Sequence, residues 1–151
     1  MICTFFGHRD TPPEIKNLLR KVISELIEKQ GVNQFYVGNQ GNFDAMARSL
    51  LAEFEQTHGI SYEIVLAYLP RQEDPLCDTG HTLLPEGIES VPPRFAIEYR
   101  NKWMIDHSDI VVTYVTHSFG GAAKFKMTAK SKEKQIIELS SYYPFESTQF
   151  M

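Results

Sequence analysis

The chain contains 151 residues, carries a net charge of −4, and is 42% hydrophobic and 23% charged. These values are typical of one globular domain with a sizeable core. The acidic balance gives no electrostatic case for non-specific binding of DNA or RNA, because such binding depends on Lys and Arg side chains that neutralise phosphates. We therefore do not expect nucleic acid as a partner, although a local basic patch is compatible with this composition.

The sequence gives no sign of a membrane span or a secretory leader. Its apolar runs are too short to cross a bilayer, and residues 1–6 lack the basic region and cleavage site of a signal peptide. Cys3 and Cys77 are too few for a disulfide framework, so we expect both to be reduced thiols. These features predict a cytoplasmic protein without a membrane partner.

The first predicted elements follow from apolar patterning and helix-end signals. Residues 2–6 form a short β-like run. Thr11-Pro12-Pro13-Glu14 is then typical of a helix start, and apolar residues recur at helical spacing until Gly31 ends the helix. The next predicted elements are a strand at residues 34–37, a helix at 45–56 and a strand at 62–68.

The second half of the chain begins with an irregular, proline-rich stretch at residues 70–93, where we expect one short element near residues 82–84. Residues 94–107 follow as a predicted helix with aromatic side chains on one side. The last predicted elements are a strand at residues 110–115, a helix at 120–132 and a strand at 135–139.

The alternation of strands and helices predicts βαβ units and a mainly parallel sheet. With right-handed crossovers the fold class is α/β, a Rossmann-like three-layer sandwich with a sheet of about five strands. We predict one domain at residues 1–140 and a C-terminal tail at residues 141–151. Ligands bind at the carboxyl ends of the strands in such sheets, so the loops that follow the strands are the candidate site.

The loop after the first predicted strand contains Gly7, His8 and Arg9. Gly7 allows the backbone to turn, Arg9 can hold a phosphate through its planar guanidinium group, and His8 can donate or exchange protons. The alternative is that Arg9 is a solvated loop charge and that His8 caps a neighbouring carbonyl group. The position of the loop at the ligand edge favours the functional interpretation.

The loop after the second predicted strand reads Gly38-Asn39-Gln40-Gly41-Asn42-Phe43-Asp44. Gly38 and Gly41 permit a tight turn and a close approach of ligand to backbone, and the following helix offers N–H groups to an anion. Asp44 could hold a ribose hydroxyl or only complement the helix dipole. The spacing is not the full dinucleotide-binding fingerprint, so it is a weak signal.

The loop after the predicted strand at residues 110–115 contains Ser118 and the pair Gly120-Gly121. The glycines allow backbone N–H groups to converge on a phosphate at the positive end of a helix. The alternative is a glycine-rich turn with Ser118 as the N-cap, which many α/β proteins use. Arg100 and Asn101 lie on the preceding helix; a surface position is the more common one for such an Arg.

Other chemistry has little support in the sequence. His58, His81, His107 and His117 show no metal-ligand spacing, and we expect no metal and no cofactor. The stretch Cys77-Asp78-Thr79-Gly80-His81 is a weak candidate for a thiol nucleophile. Asp106, His107 and Asp109 are predicted at a helix-to-strand turn on the opposite edge of the sheet and are interpreted as structural.

The motifs occur in one order along the chain: Thr4-Phe5-Phe6-Gly7-His8-Arg9, then residues 38–44, Tyr99-Arg100-Asn101-Lys102-Trp103-Met104, Ser108-Asp109-Ile110-Val111-Val112 and Gly120-Gly121. Together they resemble the SLOG superfamily of Rossmann-like proteins, particularly its YpsA-like branch, over residues 2–139. The resemblance implies a site for a nucleotide or nucleotide-derived ligand at the carboxyl edge of the sheet, in a sensing or regulatory role. SLOG-like relatives often self-associate, so a homo-oligomer is compatible with it.

The SLOG relatives include DNA-processing protein A and the Lonely Guy phosphoribohydrolases, which cleave a base from a nucleoside monophosphate. In these hydrolases, which the chain resembles, catalysis depends on one Arg and on the Glu of a Pro-Gly-Gly-x-Gly-Thr-x-x-Glu motif. Arg100 matches the Arg and Gly120-Gly121 the glycine pair, but Met127 stands at the Glu position. A thioether cannot replace a carboxylate in this chemistry.

Three functions therefore stay open from the sequence. The first is nucleotide binding without catalysis. The second is a phosphoribohydrolase-like N-glycosidase, in which Arg100 acts with another carboxylate, Asp44 first and Asp78 or Glu98 behind it. The third is a binding module for protein or single-stranded nucleic acid, suggested by Tyr142-Tyr143-Pro144-Phe145 and by the 12% aromatic content, against which the acidic charge counts.

Overall fold

The computed structural model describes residues 1–69 and 80–142. Six strands form one sheet within these residues: β1 (Ile2–Gly7), β2 (Gln34–Val37), β3 (Ser61–Val65), β4 (Thr82–Leu83), β5 (Ile110–Tyr114) and β6 (Gln135–Glu138). The helices are α1 (Ile15–Gln30), α2 (Gly41–His58), α3 (Ala96–Asp106) and α4 (Gly121–Ser131). Short 3₁₀ helices lie at Ile88–Ser90, Pro93–Phe95 and Leu139–Ser141.

The sheet has the order β4-β3-β2-β1-β5-β6, and all neighbouring strands are parallel. The chain moves outward from β1 to β4 on one side, and then returns to add β5 and β6 on the other side of β1. The strand order therefore changes direction between β1 and β5, which pair from Cys3 opposite Ile110 to Gly7 opposite Tyr114. Loops diverge at such a point and leave a crevice at the carboxyl ends of the strands.

Helices cover both faces of the sheet, which gives the three-layer architecture. One apolar cluster joins Cys3 and Phe5 of β1 to buried residues of α1 and α2, including Leu19 and Leu50. A second cluster joins Phe6 and Val111 to residues of α3 and α4, among them Met104, Ile105, Phe125 and Ala129. Alternate side chains of β1 thus enter opposite layers, as the two-residue period of a strand requires, and β1 is buried on both faces.

The predicted α/β fold class is confirmed, with three differences in detail. The sheet has six strands instead of about five, because the short element expected near residues 82–84 pairs with β3 as a strand of two residues. The helix predicted at residues 45–56 begins at Gly41 and ends at His58. The strand predicted at residues 62–68 ends at Val65, although the next two residues remain buried.

The structure also bears on the predictions about membrane spans and cysteines. Every helix within residues 1–69 and 80–142 is too short or too polar to span a bilayer. Cys3 is a free thiol buried in the core, whereas Cys77, Asp78 and most of the predicted Tyr142–Phe145 motif lie outside the described residues.

Candidate functional site

A cavity of about 250 Å³ opens at the carboxyl edge of the sheet, where the strand order changes direction. Four parts of the chain contribute to it: the end of β1 and its loop, the loop into α2, the first turns of α3, and the start of α4. The lining residues are Phe6, Gly7, His8, Arg9, Gln40, Asp44, Ile97, Arg100, Asn101, Gly121, Ala122 and Phe125. The volume lies slightly below the range of about 300–1,000 Å³ typical of small-molecule pockets.

Arg100 is the most deeply buried charge at this cavity, with only 2% of its surface exposed. Its Nε donates to Oδ1 of Asn101 at 2.6 Å, and its Nη1 donates to Oδ1 of Asn39 at 3.2 Å and to the carbonyl of Val65 at 3.0 Å. These partners are neutral oxygens that fix the plane of the guanidinium group. Nη2 makes no hydrogen bond to any residue in the described part of the chain, so the fork keeps donors for a further acceptor.

Asp44 supplies the carboxylate of the cavity, from the first turn of α2. Its Oδ2 accepts a hydrogen bond from the backbone N–H of Gln40 at 3.0 Å. Burial raises the pKa of Asp44 to about 6, although the bond from Gln40 and the charges of Arg100, Arg48 and Arg9 oppose this change. The carboxylate is therefore ionised at neutral pH but takes up a proton far more readily than an exposed aspartate.

Gly38 makes the close approach of Asp44 and Arg100 possible. A Cβ atom at this position would lie 2.6 Å from Oδ2 of Asp44 and 3.2 Å from Nη1 of Arg100. Both charged groups therefore pack against the bare backbone at the end of β2. Nearby, Nη1 of Arg48 donates to the Gly38 carbonyl at 3.1 Å, which further fixes this backbone.

Arg9 and the start of α2 join the first two loops of the site. Nη2 of Arg9 donates to Oε1 of Gln40 at 3.0 Å, and the carbonyl of Arg9 accepts from the N–H of Asn42 at 2.9 Å. Between them, Gly41 has φ of +83°, and a Cβ there would lie 2.7 Å from the Cα of Arg9. Because Asn42 donates to Arg9, the start of α2 has fewer free N–H groups than the sequence suggested.

His8 joins the loop after β1 to the loop after β5. Its Nε2 accepts a hydrogen bond from the backbone N–H of Thr116 at 2.9 Å, so this nitrogen bonds an N–H group and not a carbonyl, unlike the alternative considered for the sequence. Burial lowers the pKa of His8, and the neighbouring His117 lowers it further, whereas Asp10 and Glu138 oppose this. The neutral ring that Thr116 requires is therefore the favoured form.

The start of α4 forms the wall opposite the α2 loop. Its N-cap is Gly120 with φ of +92°, and no side chain caps the helix, which excludes the alternative that Ser118 is the N-cap. Gly121 and Ala122 line the cavity, and their backbone N–H groups have no hydrogen-bond partner within residues 1–69 and 80–142. Unpaired N–H groups at the positive end of a helix dipole attract an anion.

The structure brings most of the predicted site residues to one cavity. Gly7, His8, Arg9, Asp44, Arg100, Asn101 and Gly121 line it. Gly38 and Gly41 lie behind the lining and shape it, while Gly120 caps α4 and Ser118 is exposed outside the lining. The expected surface position of Arg100 is wrong, because three acceptors from separate elements compensate its burial.

Sequence reasoning did not assign roles to Asn39 and Gln40. Both lie between the two glycines of the α2 loop, and both supply amide oxygens that orient the arginines of the site. The sequence feature that could have identified them is a pair of amide side chains in a turn at the carboxyl edge of the sheet. Among the alternative carboxylates, Glu98 binds Lys102 and Lys124 outside the cavity lining, and no metal-binding group of His, Cys, Asp or Glu occurs among the described residues.

Comparison with known proteins gives a likeness in fold. No protein-family model and no curated protein matches the chain. The structure is similar to the X-ray structure of DNA processing protein A from Streptococcus pneumoniae, with a TM-score of 0.68 and 16% sequence identity. The likeness covers 90% of this chain and 49% of that one, so this chain spans about half its length. It supports the Rossmann-like fold that the SLOG resemblance implied, while the YpsA-like branch stays a prediction.

Proposed function

We propose that the cavity binds the phosphate of a nucleotide or nucleotide-derived ligand, in a sensing or regulatory role. The phosphate would accept hydrogen bonds from the N–H groups of Gly121 and Ala122. Arg100 and Arg9 would supply positive charge to the phosphate. Asp44 would accept a hydrogen bond from a hydroxyl of the attached sugar. The observation that carries the proposal is that the uncapped start of α4 and the buried guanidinium of Arg100 line the same cavity.

The charge balance of the cavity supports an anionic ligand. A buried guanidinium group is costly unless it is paired, and burial accordingly lowers the pKa of Arg100, with the Asp44 charge opposing this. Arg9 adds a second positive charge, and the α4 dipole adds roughly half a charge. The single carboxylate of the lining, Asp44, offsets only part of this positive charge, so a bound phosphate would neutralise the rest.

A second candidate function is hydrolysis of an N-glycosidic bond in a nucleoside monophosphate. Its support is Asp44, the one carboxylate among the lining residues, whose pKa of about 6 suits proton transfer near neutral pH. Met127, at the position of the Glu in the hydrolase motif, is 71% exposed and does not line the cavity. Chromatography of nucleoside monophosphates after long incubation tests this function; binding without base release contradicts it.

Substitutions of Gly121 test the phosphate site without disturbing its surroundings. A Cβ at this position would meet no atom within 4 Å, so both Gly121→Ala and Gly121→Asp are compatible with the fold. The aspartate places a negative charge among the N–H groups that we propose for the phosphate. It also stabilises a helix start by about 0.3–1 kcal/mol, so its effects on binding and on stability have opposite signs.

The measurement is calorimetric titration with nucleoside mono- and diphosphates and nucleotide sugars, together with thermal unfolding of each variant. We expect wild type and Gly121→Ala to bind at least one of these ligands with similar affinity. Gly121→Asp should weaken binding by more than about tenfold with an equal or higher melting temperature. Wild type that binds no member of the panel, or equal binding by the two variants, contradicts the proposal.

A further inference from the structure

Three aromatic rings form a continuous stack that begins at the wall of the cavity. The His8 ring lines the cavity and stacks on His117 with 3.9 Å between centroids and 15° between planes. His117 stacks in turn on Phe119, with 4.1 Å between centroids and 22° between planes. Nδ1 of His117 also lies 2.9 Å from the carbonyl of Phe119, which fixes the outer pair of rings relative to each other.

The outer ring of this stack is exposed, which is unusual for a phenylalanine. Phe119 has 70% of its surface accessible, and the ring contact recorded for it among the described residues is with His117. One face of the ring therefore packs on the imidazole while the other is open. A phenyl ring held parallel to its neighbours at the surface offers a flat apolar platform, whereas a core or cap residue would turn inward.

The platform lies next to the proposed phosphate site in the chain. Phe119 precedes Gly121 by two residues, so their Cα atoms are at most about 7 Å apart. Gly121 and Ala122 line the cavity, and the cavity of about 250 Å³ is small for a whole nucleotide. A ligand whose phosphate and sugar occupy the cavity would thus extend its base out of the cavity, and the exposed ring of Phe119 lies two residues from the proposed phosphate position.

We propose that Phe119 is the base-stacking residue of this site, and that its ligand class is nucleoside 5′-phosphates with a large planar base. This inference rests on the proposed function, since it needs the phosphate to lie at the start of α4. The ring has no hydrogen-bonding group, so it recognises the area of the base and not the pattern of its edge. Purines, with the larger ring system, bind more tightly than pyrimidines, with little distinction between adenine and guanine.

The test compares AMP with ribose 5-phosphate, which carries the same phosphate and sugar but no base. Wild type, Phe119→Leu and Phe119→Trp are titrated with both ligands by calorimetry. Leucine keeps an apolar side chain at this exposed position, so it removes the flat ring with little risk to folding. The tryptophan variant offers a larger ring to the same ligand.

We expect wild type to bind AMP about 5- to 150-fold more tightly than ribose 5-phosphate, which is the range that stacking on one aromatic ring supplies. Phe119→Leu should reduce this ratio toward one by weakening AMP alone, and Phe119→Trp should keep or raise it. A ratio that survives in Phe119→Leu, or an equal loss for both ligands, overturns the inference and leaves the phosphate site standing. Binding of neither ligand by wild type overturns the inference, and the proposed function falls with it only if wild type also binds no other member of the nucleotide panel.

Discussion

Nε2 of His8 accepts the backbone N–H of Thr116 at 2.9 Å, so one side chain fixes the loop after β1 to the loop that leads into α4. Replacement of His8 by Phe keeps an aromatic face for His117 but removes the acceptor. We expect His8→Phe to lower the free energy of unfolding by about 1 kcal/mol, the usual value of one hydrogen bond. It should also weaken nucleotide binding, because Gly121 is no longer held in place. Urea denaturation and titration measure the two effects; unchanged affinity contradicts the positioning role.

The lowered pKa of His8 predicts that the free energy of unfolding depends on pH. Burial and the neighbouring His117 lower the pKa of His8 below its ordinary value of 6.5, and Asp10 and Glu138 only partly oppose this. Between the lowered pKa and 6.5, the unfolded chain binds more protons at this group than the folded protein does. The contribution of His8 to the free energy of unfolding therefore rises with pH through this window and is constant above it. In urea melts from pH 5 to pH 8, His8→Phe should lack this contribution; identical pH profiles of the two proteins would exclude it.

Asp44 gives the free energy of unfolding a pH dependence of the opposite sign. Its pKa is raised from 3.8 to about 6 by burial, so the folded protein holds this proton more tightly than the unfolded chain. The stabilisation is complete below about pH 4 and is lost as pH rises through about 6, with a total of about 1–3 kcal/mol. Asp44→Asn should remove this slope and be at least as stable as wild type at pH 7.5. A slope of the same size in Asp44→Asn would assign the titration to another group.

The fold could be predicted because each layer leaves a local pattern in the sequence. β2 was predicted at its observed limits, and Gly31, predicted to end the first helix, follows α1 as its left-handed C-cap with φ of 70°. The start of α2 could not be located, because it depends on Asp44 bonding back to Gln40 and on the contact of Gly41 with Arg9. The bond between Asp44 and Gln40 is local, but the contact of Gly41 with Arg9 arises only when two loops meet in space, and no local propensity encodes it.

The candidate site was predictable in its location but not in its interior. The rule for parallel sheets selected the loops that surround the cavity. The burial of Arg100 contradicted the exposure habit of arginine, because its compensating acceptors come from Asn39, Val65 and Asn101 on separate elements. The stack of His8, His117 and Phe119 was equally hidden, since the first two residues are more than one hundred positions apart in sequence.

Gly38 offers a test of how tightly Asp44 and Arg100 are packed. A Cβ at position 38 would lie 2.6 Å from the Asp44 carboxylate, closer than real Cβ contacts occur. We expect Gly38→Ala to lower the free energy of unfolding by about 1–3 kcal/mol, as overpacking does. Because Asp44→Ala removes the clashing oxygen, the double variant should be more stable than the sum of the two single changes. A double-mutant cycle by chemical denaturation measures this; strict additivity would place the strain elsewhere.

Arg100→Lys separates the charge of the buried arginine from its hydrogen-bonding geometry. Lysine keeps the positive charge, but one ammonium group cannot reproduce the planar fork that reaches Asn101, Asn39 and Val65 and still presents Nη2 to a ligand. We expect a clear loss of thermal stability and a loss of nucleotide affinity of more than about tenfold. Arg94→Lys, at an exposed residue outside the lining, is the matched control and should change neither property. If Arg100→Lys binds as wild type does, then charge alone accounts for the arginine, and a specific hydrogen bond from Nη2 to the phosphate is ruled out.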